Sequence, residues 1–345
     1  MRAIVFFEHG GPEVLQYHED IAVPEPRADE VLVKVRYAAL NRLDNFVRAG
    51  WRGLELAKPH VLGADFSGTI ASLGADVVDW KIGQRVVANP TLWCGVCPYC
   101  RAGRDNQCDR FAILGEHAPG TFAEFVRVPA RNLVAIPGDY PDELAAAAPL
   151  VAVTAWHMLI GAGQLRAGEK VLVVGAGGGV NSMALQIAQL AGATVYAVAG
   201  NGEKARRACE LGAERAVDRQ AEPDWSKAIW QFTGKRGVDV VVDNVGEATW
   251  ASSLRVLAKG GRLLCVGASS GYNVPTTANM IFGRHLSIIG STMGTQAEFA
   301  AVMGQVWAGR LKPVVDQVYP LAEYPAALAR MLAGDNFGKI LLEIG

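Results

Sequence analysis

The hydrophobic pattern of the chain changes period near Pro141. Ahead of it, Val31, Val33, Val35 and Tyr37 alternate with Leu32, Lys34, Arg36 and Ala38, which predicts a strand. Segments 61–68, 83–88 and 120–128 read as further short strands, separated by Gly- and Pro-bearing turns, so the first part predicts a β-rich, partly barrel-like module. Beyond it, 142–148 and 153–161 are helix-like. From Lys170 strands are expected at 171–174, 195–199, 216–217, 238–242, 262–266 and 286–289, with helices at 203–211, 224–233 and 247–258 between them. Val180, Met183, Ala184, Ile187, Ala188 and Ala191 mark one face of the helix after the first of these strands. Such alternation predicts a parallel sheet with right-handed crossovers. The tail predicts helix 296–308, an irregular return, helix 325–332 and strand 339–343, and is expected to rejoin the first module.

Composition narrows the classes. Half of the 345 residues are hydrophobic and 19% are charged, which excludes a disordered chain. With 33 Lys and Arg against 34 Asp and Glu the net charge is −1, so no nucleic-acid or anionic-membrane footprint is expected. Two uncharged stretches, 144–165 and 171–202, are broken by Pro149, His157, Asn181, Gln186 and several glycines and do not read as membrane spans. Residues 1–7 do not read as a signal peptide, and a cytoplasmic protein is expected.

Two motifs carry chemistry. Val171-Leu-Val-Val-Gly-Ala-Gly-Gly-Gly-Val-Asn181 joins a buried strand to an amphipathic helix. Glycines there let backbone approach a pyrophosphate, and the helix N-terminus favours the anion, so a dinucleotide is expected at Gly175, Gly177, Gly178, Gly179 and Val180. The following strand ends at Gly200-Asn201, with Lys204 and Arg207 one turn on and without the Asp or Glu that binds ribose hydroxyls in an NAD site. That favours NADP(H), although Lys204 and Arg207 also fit an ordinary solvated helix face. Cys94, Cys97, Cys100 and Cys108 lie within fifteen residues, the spacing of a closed tetrahedral zinc site. Four protein ligands leave no open position, so one structural zinc per chain is expected, while Cys209 and Cys265 read as packing residues.

The glycine loop after a β-rich region, the cysteine lobe, and the segments Gly10-Gly-Pro-Glu-Val-Leu15, Ala39-Leu-Asn-Arg-Leu-Asp44, Gly63-Ala-Asp-Phe-Ser-Gly68, Gly120-Thr-Phe-Ala-Glu-Phe125 and Gly338-Lys-Ile-Leu-Leu342 closely resemble the zinc-type medium-chain alcohol dehydrogenase and quinone reductase superfamily, over essentially the whole chain. The resemblance implies an α/β protein: a GroES-like catalytic domain (1–153 plus 291–345, with the zinc lobe at 94–108) and a Rossmann-type doubly wound cofactor domain (154–290), the site lying in the cleft between. It places Thr154, Asn201, Lys204, Asn244, Val266, Gly267 and Lys339 with the glycine loop among cofactor-binding residues. Alcohol dehydrogenases of this family hold a second, catalytic zinc. Asn41, Ala64 and Leu150 stand at its three ligand positions and Leu43 where a hydroxyl relay begins, so no catalytic zinc is expected. Asn41 is then the candidate for orienting substrate carbonyl or nicotinamide ribose, and Asp44 and Asp65 are catalytic candidates that also fit buried structural carboxylates. Trp51, Trp93, His60, His117 and Met293 are candidate pocket residues.

Without a Lewis acid an alcohol is hard to activate, whereas hydride addition to an activated alkene or a quinone builds a charge that hydrogen bonds can stabilise. The expected activity is NADPH-dependent reduction of an enone, enoyl thioester or quinone. An alcohol or aldehyde dehydrogenase and a non-catalytic NADP(H)-binding protein remain alternatives. The partner is a small-molecule substrate, and the apolar final strand 286–290 predicts a homodimer or homotetramer.

Overall fold

The computed structural model describes all 345 residues, in two compact units: Met1–Leu150, Thr295–Gly309 and Pro313–Gly345 form one, Val151–Gly294 and Arg310–Lys312 the other. In the first unit, strand Glu30–Ala39 is the spine of a seven-stranded sheet and pairs antiparallel with Asp65–Leu73, Phe125–Pro129 and Lys339–Glu343. Val31, Val33 and Val35 are buried with Phe66, Phe122 and Tyr324, and Lys34 and Arg36 are exposed, so the alternation is the pleat of the strand over 33–36. Leu32 and Ala38 are buried as well and Tyr37 only partly, the register shifting between Val35 and Tyr37. Strand Lys339–Glu343 brings the tail into this sheet. The expected irregular return instead contains strand Val315–Pro320, parallel to Lys339–Glu343 and joined to it through helix Tyr324–Ala333.

Strands Ala3–Phe6 and Gln16–His18 and helix Ala278–Arg284 escaped the sequence pattern, as did helix Arg42–Ala49, eight residues between the spine strand and the next. Helix Arg42–Ala49 is too short for its apolar stripe to stand out, and tertiary packing and capping sustain it.

The second unit carries a six-stranded, wholly parallel sheet, ordered Arg215–Asp218, Thr194–Ala199, Lys170–Val174, Val238–Asp243, Leu257–Cys265, Ser287–Gly290. Val171 to Val174 are at most 1% exposed, because helices cover both faces of a central parallel strand and alternation disappears. Chain order reverses between Lys170–Val174 and Val238–Asp243, the switch point at which such sheets bind ligands. The helix expected over 247–258 is shorter, Trp250–Val256. At its start the buried Asp243 carboxylate accepts the amides of Val245 and Gly246 and the Thr249 hydroxyl, holding a turn; at its end Leu257 pairs with Val238. No helix is long and apolar enough to cross a membrane.

Candidate active site and metal centre

Helix Arg42–Ala49 begins with Asn41 at its N-cap, and Asp44 Oδ2 reaches back to accept the Asn41 amide at 2.6 Å. A carboxylate in this first turn satisfies an amide that has no helical partner. Asp65 opens the neighbouring strand and is fully buried. Its Oδ1 accepts the Leu150 amide at 2.7 Å; its Oδ2 accepts Asn41 Nδ2 at 2.9 Å and Lys339 Nζ at 2.8 Å. Lys339 is 4% exposed, and its ammonium also donates to Leu40 O at 2.7 Å and Asn41 Oδ1 at 2.6 Å. Three protons thus meet three acceptors. The chain sets side by side an ammonium, two carboxylates and an amide drawn from two strands and a helix cap.

Lys339, expected among the cofactor-binding residues, here has all three of its donors engaged within the first unit. Asn41 is 7% exposed, and its remaining amide contact, to Ala39 O, is long at 3.3 Å. Of the candidate pocket residues, His60 is buried with Nε2 at 3.1 Å from Gly115 O, and burial pushes its imidazole down to about 4. Met293 is buried, and the Thr154 hydroxyl donates to its Sδ at 3.6 Å. Trp51 is largely exposed.

At the switch point of the second unit, Gly175 adopts φ +83°, a conformation that favours glycine, and begins the turn into helix Gly179–Leu190. Gly178 caps that helix without a side chain, so the first-turn amides are open to an anion. Asn181, at the loop's last glycine position, makes the helix–strand contact itself: Nδ2 donates to Val174 O at 2.7 Å and Gly175 O at 3.0 Å. Asn244 donates to Asn181 Oδ1 at 2.7 Å and accepts the Val266 amide at 3.0 Å. One amide clasp therefore ties together the carboxyl ends of three strands. Beyond Thr194–Ala199, a Cβ on Gly200 would meet nothing within 4 Å, and Asn201 Oδ1 accepts the Lys204 amide at 2.9 Å as a helix cap. Asp218, at the end of the adjoining strand, was not singled out by sequence; its Oδ2 lies 3.5 Å from where a Gly202 Cβ would stand. These residues fit a dinucleotide: glycines where backbone must approach, an uncapped helix start, and polar groups at the second strand end.

The four thiols Cys94, Cys97, Cys100 and Cys108 lie within 4.8 Å of one another. Four Zn–S bonds of about 2.3 Å would set sulfurs roughly 3.8 Å apart. Cys97 and Cys100 are at 3.4 Å, Cys94 and Cys108 at 3.5 Å, and Cys97 and Cys108 at 3.9 Å. Backbone amides of Cys94 and Arg110 point at Cys108 Sγ, donors suited to a thiolate.

Residues 27–138 match the model of the alcohol dehydrogenase GroES-like domain and 179–308 that of the zinc-binding dehydrogenase. A human quinone oxidoreductase is 29% identical over 99% of this chain and 97% of its own. An NAD-dependent alcohol dehydrogenase of Sulfurisphaera tokodaii is 33% identical over 99% and 98%. The chain belongs to the zinc-type medium-chain alcohol dehydrogenase and quinone reductase superfamily. A crystal structure of an NAD-dependent alcohol dehydrogenase superposes on this medium-chain dehydrogenase with a TM-score of 0.95, at 45% identity and full coverage of both chains.

Within this oxidoreductase family the three positions 41, 64 and 150 acquire a local meaning. Asn41 contributes its amide, Leu150 its backbone N–H, and Ala64 a fully buried methyl; the polar contributions converge on Asp65. Asp44, wholly buried, is pushed up to about 7 by desolvation, against the pull of the Asn41 amide and Lys339. The unfolded chain releases that proton near 3.8, so between about 4 and 7 the native state holds the extra proton and stability falls as pH rises, levelling off above about 7. Asp44→Asn should therefore gain on the wild type in urea midpoint between pH 5 and pH 8. A midpoint difference independent of pH would show that Asp44 ionises normally.

Proposed function

We propose that this dehydrogenase reduces a carbonyl-conjugated alkene or a quinone with NADPH. The observation that carries the reading is the set at positions 41, 64 and 150: an amide, a methyl and a leucine, closed around an Asp65–Lys339 ion pair, offer no metal-ligand set to acidify an alcohol. Similarity to a quinone oxidoreductase supports it. When bound, the reduced nicotinamide supplies the hydride. The glycine loop and the first turn of helix Gly179–Leu190 hold the pyrophosphate, and the Asn181–Asn244 clasp fixes the loop that carries them. Asn41 is oriented by Asp65 and Lys339, and the proton in its long bond to Ala39 O is the one it can turn to a substrate carbonyl.

The test is a panel of quinones, enones, enoyl thioesters and simple alcohols with both cofactors. Reduction of an activated acceptor is expected, with Asn41→Ala lowering kcat tenfold or more, about 1.4 kcal/mol, and cofactor KM little changed. Brisk oxidation of ethanol or 2-butanol without reduction of any acceptor would overturn the reading, and no turnover at all would favour a cofactor-binding protein.

For the cofactor, Asn201, Lys204 and the absence of a carboxylate from the end of Thr194–Ala199 support NADP(H). NAD(H) is a second reading, favoured by the Asp218 carboxylate beside Gly202 and by the similarity to NAD-dependent alcohol dehydrogenases. Lys204→Ala should weaken NADPH about tenfold and spare NADH if its ammonium meets a 2′-phosphate. Equal losses, or a wild-type preference for NADH, would decide for NAD(H). A homo-oligomer is part of the same proposal: edge strand Ser287–Gly290 leaves Ile288 40% exposed, and pairing with a second copy would cover it.

A further inference from the structure

At the opposite end of the parallel sheet from the glycine loop, where Val238–Asp243 and Leu257–Cys265 begin, the second unit carries a cavity of about 540 Å³. Lys227, Arg236, Arg255, Lys259 and Arg284 line it, against a single carboxylate, Asp224. The charges are not equivalent. Arg284 donates to the carbonyls of Leu254, Arg255 and Leu257, closing the end of helix Trp250–Val256, and so builds the wall. Arg255 faces Asp224 at 3.5 Å, and Arg236 holds Asp239 at 2.6 Å, with much of both guanidinium groups exposed. The ammonium groups of Lys227 and Lys259 are exposed and make no ion pair. Trp230, half-buried, gives the cavity an aromatic wall.

Several cations converging on a concave space that also offers an indole are the complement of a ligand with several negative charges and a flat ring. A single phosphate would leave most of that volume empty; a nucleotide-sized ligand falls in the range of about 300–1,000 Å³ usual for small-molecule sites. We propose that this cavity binds a nucleoside polyphosphate, with the phosphates on Lys227, Lys259 and Arg236 and the base against Trp230. The strand Val238–Asp243 separates it from the dinucleotide end by six residues, roughly 20 Å at the usual rise, so both sites can fill together.

The experiment is calorimetric titration of the full chain, saturated with NADP⁺ and then with NAD⁺ so that the glycine loop is occupied whichever cofactor it prefers, using ATP, tripolyphosphate and adenosine as probes. ATP should bind once per chain, with affinity falling as salt rises. Lys227→Glu with Lys259→Glu should reduce that affinity at least tenfold while leaving cofactor binding unchanged. Tripolyphosphate and adenosine should each bind more weakly than ATP. The proposal is overturned if millimolar ATP gives no heat, if the double variant binds ATP as the wild type does, or if tripolyphosphate binds as tightly as ATP.

Discussion

Lys339→Met should destabilise the first unit by about 3–5 kcal/mol, the usual cost of removing one partner from a buried ion pair. Lys339 and Asp65 are 4% and 0% exposed at the side chain and 2.8 Å apart. Methionine fills a similar volume, so little of the loss comes from a cavity. What remains is a buried carboxylate whose cation is gone, with Leu40 O and Asn41 Oδ1 deprived of their donor. Asp44 then loses the cation that lowers it and should hold its proton to still higher pH. Adding Asp65→Asn removes the orphaned charge, so the double variant should lose less stability than the two single losses added together. Urea denaturation followed by circular dichroism checks both statements. A loss below about 1 kcal/mol for Lys339→Met would mean that water reaches and solvates Asp65.

Removing the metal from the cysteine lobe should have the largest effect. Structural zinc contributes apparent folding free energies of about 10–16 kcal/mol in small zinc domains. Elemental analysis should find one zinc per chain; near two per chain would contradict the reading of positions 41, 64 and 150. The structure adds where the damage spreads. Asp105, within the lobe, accepts the Gln296 amide at 2.8 Å, and Gln296 begins helix Gln296–Trp307. After chelation, hydrogen exchange should accelerate across 94–113 and at the first turn of that helix, while the parallel sheet of the second unit stays protected. Uniform loss of protection would show that the lobe is an integral part of the whole fold rather than a separately stabilised clip. Cys97→Ser should reproduce the pattern without a chelator.

The parallel unit was largely legible because its central strands and longer helices carry their own period, whereas the seven-residue helix Ala278–Arg284 did not stand out. Val171 to Val174 reads as an unbroken apolar run, and Gly179–Leu190 as a stripe, since burial on two faces or on one leaves those patterns in any chain. The cysteine spacing was equally local: four ligands within fifteen residues need no distant partner to be recognised. Asn41, Asp44 and Asp65 could be named as candidates, but their meaning could not be read, because it depends on who faces them. Lys339 shows why. It is 298 residues from Asn41 and 274 from Asp65 along the chain, and only the pairing of Lys339–Glu343 with Glu30–Ala39 sets its ammonium between them. A lone lysine ahead of Ile340-Leu-Leu342, and a lone aspartate between Ala64 and Phe66, were the available signals of a buried pair. Asn181 was decided in part the same way: it bonds Val174 O and Gly175 O directly, but its Oδ1 accepts from Asn244, 63 residues away. The sequence by itself determined the two-part α/β plan, the glycine loop and the thiol cluster, since periodicity and ligand spacing act over a few residues. Tertiary structure alone decided which buried charges meet, because a charge buried far from any sequence neighbour is stable only where the folded sheet brings its partner.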